Sequence, residues 1–501
     1  MKAIYPFACL LLIALCVGGT RSNTADRLYT FNYENVLGTS LELKIGARSP
    51  VEAERAEAAA LKEIGRLERI LSAWDHDSEF SRWMQTKGRA VRVSPELFEV
   101  LGLFDRWRDR TGGALDASAE VITQIWKAAE KRGRLPSADE LSAGVSLARQ
   151  THWRLDTEAR TAVHVSDAPL VLSSFTKSYI VDRAANAALS SGGVSAVVVN
   201  IGGDLAVRGA WTEPVEIADP RADAENSPPM VRLAIQDRAV ATSGSYRRGF
   251  EIGGTHYSHI VDPRTGMPCD DVISSTVVAR DAVDAGAMAT AFSVLSTDQS
   301  RRLAASISGV EFLLVMRDGR QIRSPGWSVL EGLAPQAAAA RPQSAGAGAW
   351  DASYELVVTL DLAPFGGQAR RPYVAVWIED ADKFPVRTLA LWYNKDRFLP
   401  ELRAWYRGAQ LRTAVGDPDI SHSVSSATRS TGRYSLKWNG KDDAGNFVKA
   451  GKYTVIIEAS REHGGYMVFR QDMDFAGVSK TIPVKINNEV ASAFFDYRKI
   501  K

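Results

Sequence analysis

Thr290 and Gly286 stand four residues apart in "DAVDAGAMATAF", residues 281–292. Four residues advance a helix by a little more than one turn, so the two positions share a face. A carboxylate at 286 beside the Thr290 hydroxyl would offer hard oxygen donors to a divalent cation. The chain carries glycine there instead. Asp284 does not replace it on a continuous helix, where six residues turn the direction by about 600° and leave it some 120° from Thr290. Its expected role is that of a helix N-cap.

Three other stretches mix glycine with acid, hydroxyl or imidazole groups: "GGALDAS", "VNIGGDLAVRG" and "ATSGSYRRGFEIGGTHYSHIVDPRTG". Each has an ordinary structural reading by itself. "IGGD" after a strand is a tight turn, because glycine accepts positive φ, and "DPRTG" is a β-turn. A lone His259 is a hydrogen-bonded structural histidine, or a proton acceptor, since imidazole titrates near neutrality.

Taken in order and spacing, these stretches resemble the FAD:protein FMN transferase family, the ApbE proteins, over about Tyr29 to Leu333. "LSAWDHDSEFSRW" is similar to the family's segment ending in Asp-Ser-Glu-x-Ser-Arg, and "TGGALDASAEVITQIW" to its Gly-Ala-Phe-Asp stretch, with Leu115 in place of Phe. "VNIGGDLAVRG", "ATSGSYRR" and "YSHIVDPRTGMP" are near-complete matches. The resemblance implies a bound FAD, a magnesium ion on its pyrophosphate, and transfer of the FMN half to a Thr or Ser hydroxyl with AMP leaving. It places Trp74, Ala114, Leu115 and Asp116 around the FAD, Lys177 close to it, and His259 beside the reacting phosphate. Such chemistry rests on positioning, charge neutralisation and activation of the nucleophile.

Two departures stand out. Many members read Leu-Gly-Gly-Ile-Ala-Lys-Gly-Tyr where this chain reads "LSSFTKSY", Leu172 to Tyr179. The metal ligand implied in this loop is a main-chain carbonyl, at Ser174, which survives a change of side chain. The family's Ala-Asp-Ala-Leu-Ala-Thr helix becomes "AGAMAT", keeping Thr290 as a metal ligand and losing the acid at Gly286. Loss of one oxygen ligand weakens magnesium binding without abolishing it, because magnesium keeps waters and shares substrate phosphates. Restoring the acid, Gly286→Asp, is expected to complete the cation face.

These residues must be carried by a long chain. Its 501 residues suffice for two to four domains, and a formal charge of +2 leaves no electrostatic footprint for nucleic acid. Residues 1–22 have a basic Lys2, an apolar run and small residues, the layout of a secretory signal peptide. The protein is therefore expected to be exported, to the periplasm or beyond. Leu15 stands where a lipoprotein signal needs a small residue, which argues against lipidation at Cys16. Cleavage leaves Cys269 as the only thiol, and no transmembrane anchor is expected thereafter.

The mature chain reads as an α+β transferase domain, 23–333, a linker rich in Ala, Pro, Gly and Ser, 334–350, and an all-β, immunoglobulin-like sandwich, 351–485. "SPVEAERAEAAALKEIGRLERIL" begins with Ser49 as N-cap, Pro50 at the first helical position and Glu52 completing a capping box. "SPELFEVLGLFDRW" repeats that entry, while "SAVVVNI" and "SSTVVA" suit buried strands. After the linker come the short strands "YELVVTLDL", "RPYVAVWIED", "RTLALWY", "RYSLKWNG" and "GKYTVIIEA". This half resembles a family of predicted periplasmic domains and the immunoglobulin-type domain of flagellar hook scaffolds. "NGKDDAGN" lacks the terminal bidentate acid of a calcium loop and reads as a hairpin turn.

The resulting expectation is an exported flavin transferase acting on an exported acceptor protein. Its rivals are a non-catalytic flavin carrier with a decayed metal site and an FAD pyrophosphatase giving FMN and AMP. The second domain also supplies a candidate acceptor of its own. "HSVSSAT" matches the second half of the family's acceptor segment, with His422 where the acid belongs, which singles out Thr428. A flexible linker would present it at high effective concentration.

Overall fold

The computed structural model describes residues 26–245, 248–332, 350–363, 371–394, 396–414, 425–426, 428–429, 431–461, 464–486 and 489–500. The expected signal peptide and nearly all of the expected linker lie outside these residues.

The first unit is built on an eight-stranded antiparallel sheet. Its strands follow in the order Arg27–Val36, Thr39–Ala47, Val194–Ile201, Asp204–Gly209, Ala239–Gly244, Val272–Ala279, Glu311–Met316 and Gln321–Arg323. Continuous apolar runs such as "AVVVNI" are explained by burial on both faces. Val197, Val199 and Ile201 point into a helical layer, whereas Val198 joins Leu205, Val207, Val240 and Trp327 in a core on the opposite face. The helical layer contains Pro50–Leu71, Thr176–Leu189 and Ala282–Phe292.

Ser49 caps the first of these helices by accepting from Glu52 N at 3.3 Å. Glu52 turns to the Ser49 hydroxyl at 3.1 Å, so the expected capping box closes side chain to side chain rather than back onto the N-cap amide. The helix at Ala282–Phe292 starts three residues earlier than expected. Asp281 is its N-cap, accepting from Val283 N at 2.7 Å and Asp284 N at 3.3 Å. Asp284 thus lies within the first turn, away from Thr290's direction.

The second unit is a sandwich of two antiparallel-rich sheets. One runs Gly432–Trp438, Tyr354–Leu362, Val490–Lys499, Lys480–Lys485; the other runs Ser425–Ser426, Pro385–Trp392, Tyr373–Glu379, Lys452–Ser460, Tyr466–Asp474. A core around Trp350, Trp438, Phe475 and Tyr497 fills the space between them. The sandwich extends past the expected limit of 485, because Val490–Lys499 pairs with Tyr354–Leu362 inside the first sheet. It is also not purely strands. Helix Arg403–Ala414 covers the outer face of the second sheet, with Trp405 against Trp377 and Tyr373. Buried Glu458 accepts from Ala404 N and Trp405 N, both at 2.8 Å, and so caps that helix from a distant strand. The "NGKDDAGN" segment is a turn, with Asp442 N bonded to Asn446 O at 2.9 Å.

The two units meet along the edge strand Gly432–Trp438. Asn226 of the first unit accepts from Lys437 N at 2.7 Å and donates to Lys437 O at 2.8 Å, and Glu225 N donates to Ser435 O at 2.8 Å. These bonds extend the sheet's ladder across the junction and cover an open edge. A second contact joins Asn32 N to Asn394 O at 2.7 Å, with Arg371 paired to Glu34 at 2.9 Å. Asn226→Ala removes two bonds, each contributing about 1 kcal/mol. Amide exchange at residues 225 and 437 is expected to quicken by about tenfold or more while the sheet around Val197 keeps its protection. Unchanged exchange at 225 and 437 would show that the junction is held elsewhere.

Candidate active site

A cavity of about 950 Å³ opens beside the start of helix Thr176–Leu189, a size at the upper end of ligand pockets. No side chain caps that helix start, so its amides remain available to an anion. The cavity brings together the residues singled out in separate parts of the sequence. Ser174, Lys177, His259 and Thr290 line it, as do Trp74, Ala114, Leu115 and Asp116.

Local structure explains how each is presented. After helix Pro95–Arg110 the chain turns through Gly112 and Gly113 at φ of 57° and 82°, and the Thr111 hydroxyl accepts from Leu115 N at 3.1 Å. This leaves Ala114 and Leu115 almost fully buried in the wall. Asp116 accepts from Ser118 N at 2.8 Å and from the Ser118 hydroxyl at 2.7 Å, and pairs with Arg108 at 2.8 Å. Its carboxylate is therefore committed to holding the turn. Trp74, by contrast, is 74% exposed, and its indole ring is free to stack on a flat ligand.

His259 follows a hairpin of strands Gly249–Ile252 and Thr255–Ser258 packed on Trp126. Its Nδ1 lies 3.1 Å from the Arg248 carbonyl. A carbonyl can only accept, so Nδ1 carries the hydrogen and Nε2 holds the free lone pair. Burial is the main cause that holds its pKa below the ordinary histidine value, assisted by the Arg248 and His256 charges and opposed by the carbonyl bond. The neutral, proton-accepting form is thereby favoured.

Two of the oxygens singled out for a cation lie together. Thr290 Oγ1 donates to Ser174 O at 3.1 Å, which sets a hydroxyl and a carbonyl oxygen side by side at the cavity wall. The acid position is closed, however. A Cβ on Gly286 would come within 2.9 Å of Ser178 Cβ and closer still to its hydroxyl, so Gly286→Asp alone cannot complete the face. Ser178 Oγ instead donates at 2.6 Å to Asp204 Oδ2, from the "IGGD" turn. Asp204 lines the same cavity, and its Oδ1 lies 3.4 Å from Lys177 Nζ. Burial pushes its carboxyl above the usual range, against the pull of Lys177 and Ser178. The oxygens on offer here are a carbonyl, a hydroxyl and a carboxylate, a hard donor set that fits magnesium.

Neither Ser178 nor Asp204 was assigned a role from the sequence. The glycine-rich turn was visible, but the link across it joins residues 26 apart. Arg248 was likewise missed, because its contribution to His259 is a main-chain carbonyl. Thr428 is not among the described residues that line the cavity. It is 3% exposed with its hydroxyl enclosed, and neighbouring Arg429 is tied to Glu225 across the junction at 3.3 Å.

Residues 37–314 match the ApbE family, and residues 356–492 match the family described as Predicted periplasmic protein (DUF2271). An FAD:protein FMN transferase from Treponema pallidum is 29% identical over 343 residues, covering 63% of this chain and 92% of that protein. One from Vibrio cholerae is 30% identical over 240 residues, 47% of this chain and 71% of its own. The crystal structure of the ApbE protein from Thermotoga maritima superposes with a TM-score of 0.54 at 26% identity, covering 61% of this chain and 99% of that one. With the motif residues gathered on one cavity and the match extending over more than half its length, the chain belongs to the ApbE family.

Proposed function

We propose that the cavity binds FAD and that the chain transfers its FMN half to a Thr or Ser hydroxyl of an exported acceptor protein, releasing AMP, with magnesium required. The observation that carries this reading is the convergence of His259, Lys177, Ser174 and Thr290 on one cavity with Trp74 at its wall. The acceptor oxygen attacks the phosphorus of the FMN half, the phosphoanhydride bond breaks, and AMP leaves with the bridging oxygen. The hydroxyl proton passes to His259 Nε2, the nitrogen left free by the Arg248 carbonyl. Lys177 and the uncapped helix start oppose the pyrophosphate charge. Ser174 O and Thr290 Oγ1 would hold magnesium, which when bound neutralises phosphate charge as the bond breaks.

Export is supported by the leader-like start of the chain and by the similarity of residues 356–492 to a predicted periplasmic family. No helix among the described residues is long and apolar enough to cross a membrane. The carrier reading has one observation in its favour, the glycine at 286. Incubation with FAD and magnesium decides between the readings. Transfer gives AMP and an acceptor heavier by FMN, pyrophosphatase action gives AMP and free FMN, and a carrier gives neither.

His259→Ala is expected to lower transfer by about 10²–10⁴-fold while flavin fluorescence shows FAD still bound. Equal loss of binding and transfer would assign His259 to binding or folding. In the parent enzyme the acid limb of transfer should fall below about 6.5, the ordinary histidine value, because the depressed pKa keeps the imidazole neutral to lower pH. His259→Ala should abolish that limb. Trp74→Ala is expected to weaken FAD binding about tenfold or more, through lost stacking, with Tm unchanged because the ring is exposed. Undiminished FAD affinity would remove Trp74 from the ring site.

A further inference from the structure

Asp204 is a buried carboxylate, accessible only toward the cavity it lines, whose charge is loosely matched. Ser178 holds Oδ2 at 2.6 Å, whereas Oδ1 has Lys177 Nζ at 3.4 Å. Buried carboxylates are costly unless paired or bound to a metal, so Oδ1 has capacity for a stronger partner. It lines the cavity that also exposes Ser174 and Thr290, whose two neutral oxygens lie 3.1 Å apart. Ser178 is the connecting piece. Its side chain fills the space into which a residue-286 side chain would branch, and from that space it reaches Asp204.

We propose that Asp204, positioned by Ser178, is the acid of a divalent-cation site completed by Ser174 O and Thr290 Oγ1, in place of a carboxylate at position 286. The inference rests on the flavin-phosphate reading of the cavity for its occupant, since substrate phosphates share the cation. The exchange is steric. With Ser178 present, a side chain at position 286 has no room, and the acid that Ser178 holds, Asp204, lines the same cavity as Ser174 and Thr290. A cation drawing on Oδ1 also releases Lys177 from Asp204, so the ammonium can turn to a phosphate oxygen.

The test measures Mn²⁺ binding by the full chain, with and without FAD, by the electron paramagnetic resonance of free Mn²⁺, with FAD retention followed by flavin fluorescence. Asp204→Asn is expected to weaken Mn²⁺ at least tenfold while FAD remains bound. Gly286→Asp alone should leave Mn²⁺ affinity no better than the parent's, because Ser178 occupies its space. Ser178→Gly combined with Gly286→Asp should restore affinity even in the Asp204→Asn background. Circular dichroism reports folding throughout. Should Asp204→Asn not fold, Ser178→Ala decides, with weakened Mn²⁺ expected and parental affinity overturning the proposal. Parental Mn²⁺ affinity in folded Asp204→Asn, or tightening by Gly286→Asp alone, also overturns it. FAD binding without Mn²⁺ overturns the cation site and leaves the flavin reading standing. Mn²⁺ binding lost in Asp204→Asn but without FAD uptake supports the site and sinks the flavin reading.

Discussion

The close approach of helix Ala282–Phe292 to helix Thr176–Leu189 is the constraint from which the site follows. The first helix is made almost entirely of small or apolar residues, and all but Asp284 and Thr290 are buried. Such a surface lets two backbones approach until single atoms decide the packing. At Gly286 that limit is reached, with Ser178 in the space a side chain would need. Ser178 in turn holds Asp204, Asp204 faces Lys177, and Lys177 bonds to Gly202 O at 3.4 Å in the same tight turn. One turn further along the helix, Thr290 is bonded to Ser174 O just before the partner helix begins. A single packing contact therefore orders a series of charged and polar groups along the cavity wall.

The other functional groups come from outside this layer and are held differently. His259 depends on a small hairpin resting on Trp126, and its orientation on one carbonyl. Trp74 follows the end of a long helix, where Ser72 Oγ accepts from Trp74 N at 3.2 Å and from Asp75 N at 3.1 Å while the indole stays in solvent. The cavity thus has a closely packed wall suited to fixing phosphate charge and an exposed aromatic suited to adapting to a ring. Phosphoryl transfer needs that division, because small errors at phosphorus are costly whereas a stacked ring tolerates sliding.

Local patterns were readable where local physics determines them. Ser-Pro entries mark both long helices, and the apolar runs at 194–201, 272–279 and 354–362 became strands. The motif residues converge because several short segments with separate turn chemistry all border one cavity. What escaped the sequence is non-local. The choice of Asp281 over Asp284 as N-cap depends on where strand Val272–Ala279 releases the chain, since either acid could cap. The first amides of helix Arg403–Ala414 are held by Glu458 from a later strand. Thr428 has the composition of a surface loop, yet packing beside the domain junction encloses it.

That enclosure bears on how an acceptor reaches the site. Among the described residues, those lining the large cavity fall between Trp74 and Val294, and none of them belongs to the sandwich. Its contacts with the first unit are instead two separated sets of main-chain and charged bonds, at Asn226 with Lys437 and at Asn32 with Asn394. Two separated attachments resist rotation in a way one would not, and the ladder bonds at Ser435 and Lys437 also occupy an edge strand otherwise open to pairing. The sandwich is thus held against the catalytic unit, with the hydroxyl of Thr428 buried within it. An acceptor hydroxyl carried by another chain would meet Trp74 and His259 among the residues that line the cavity.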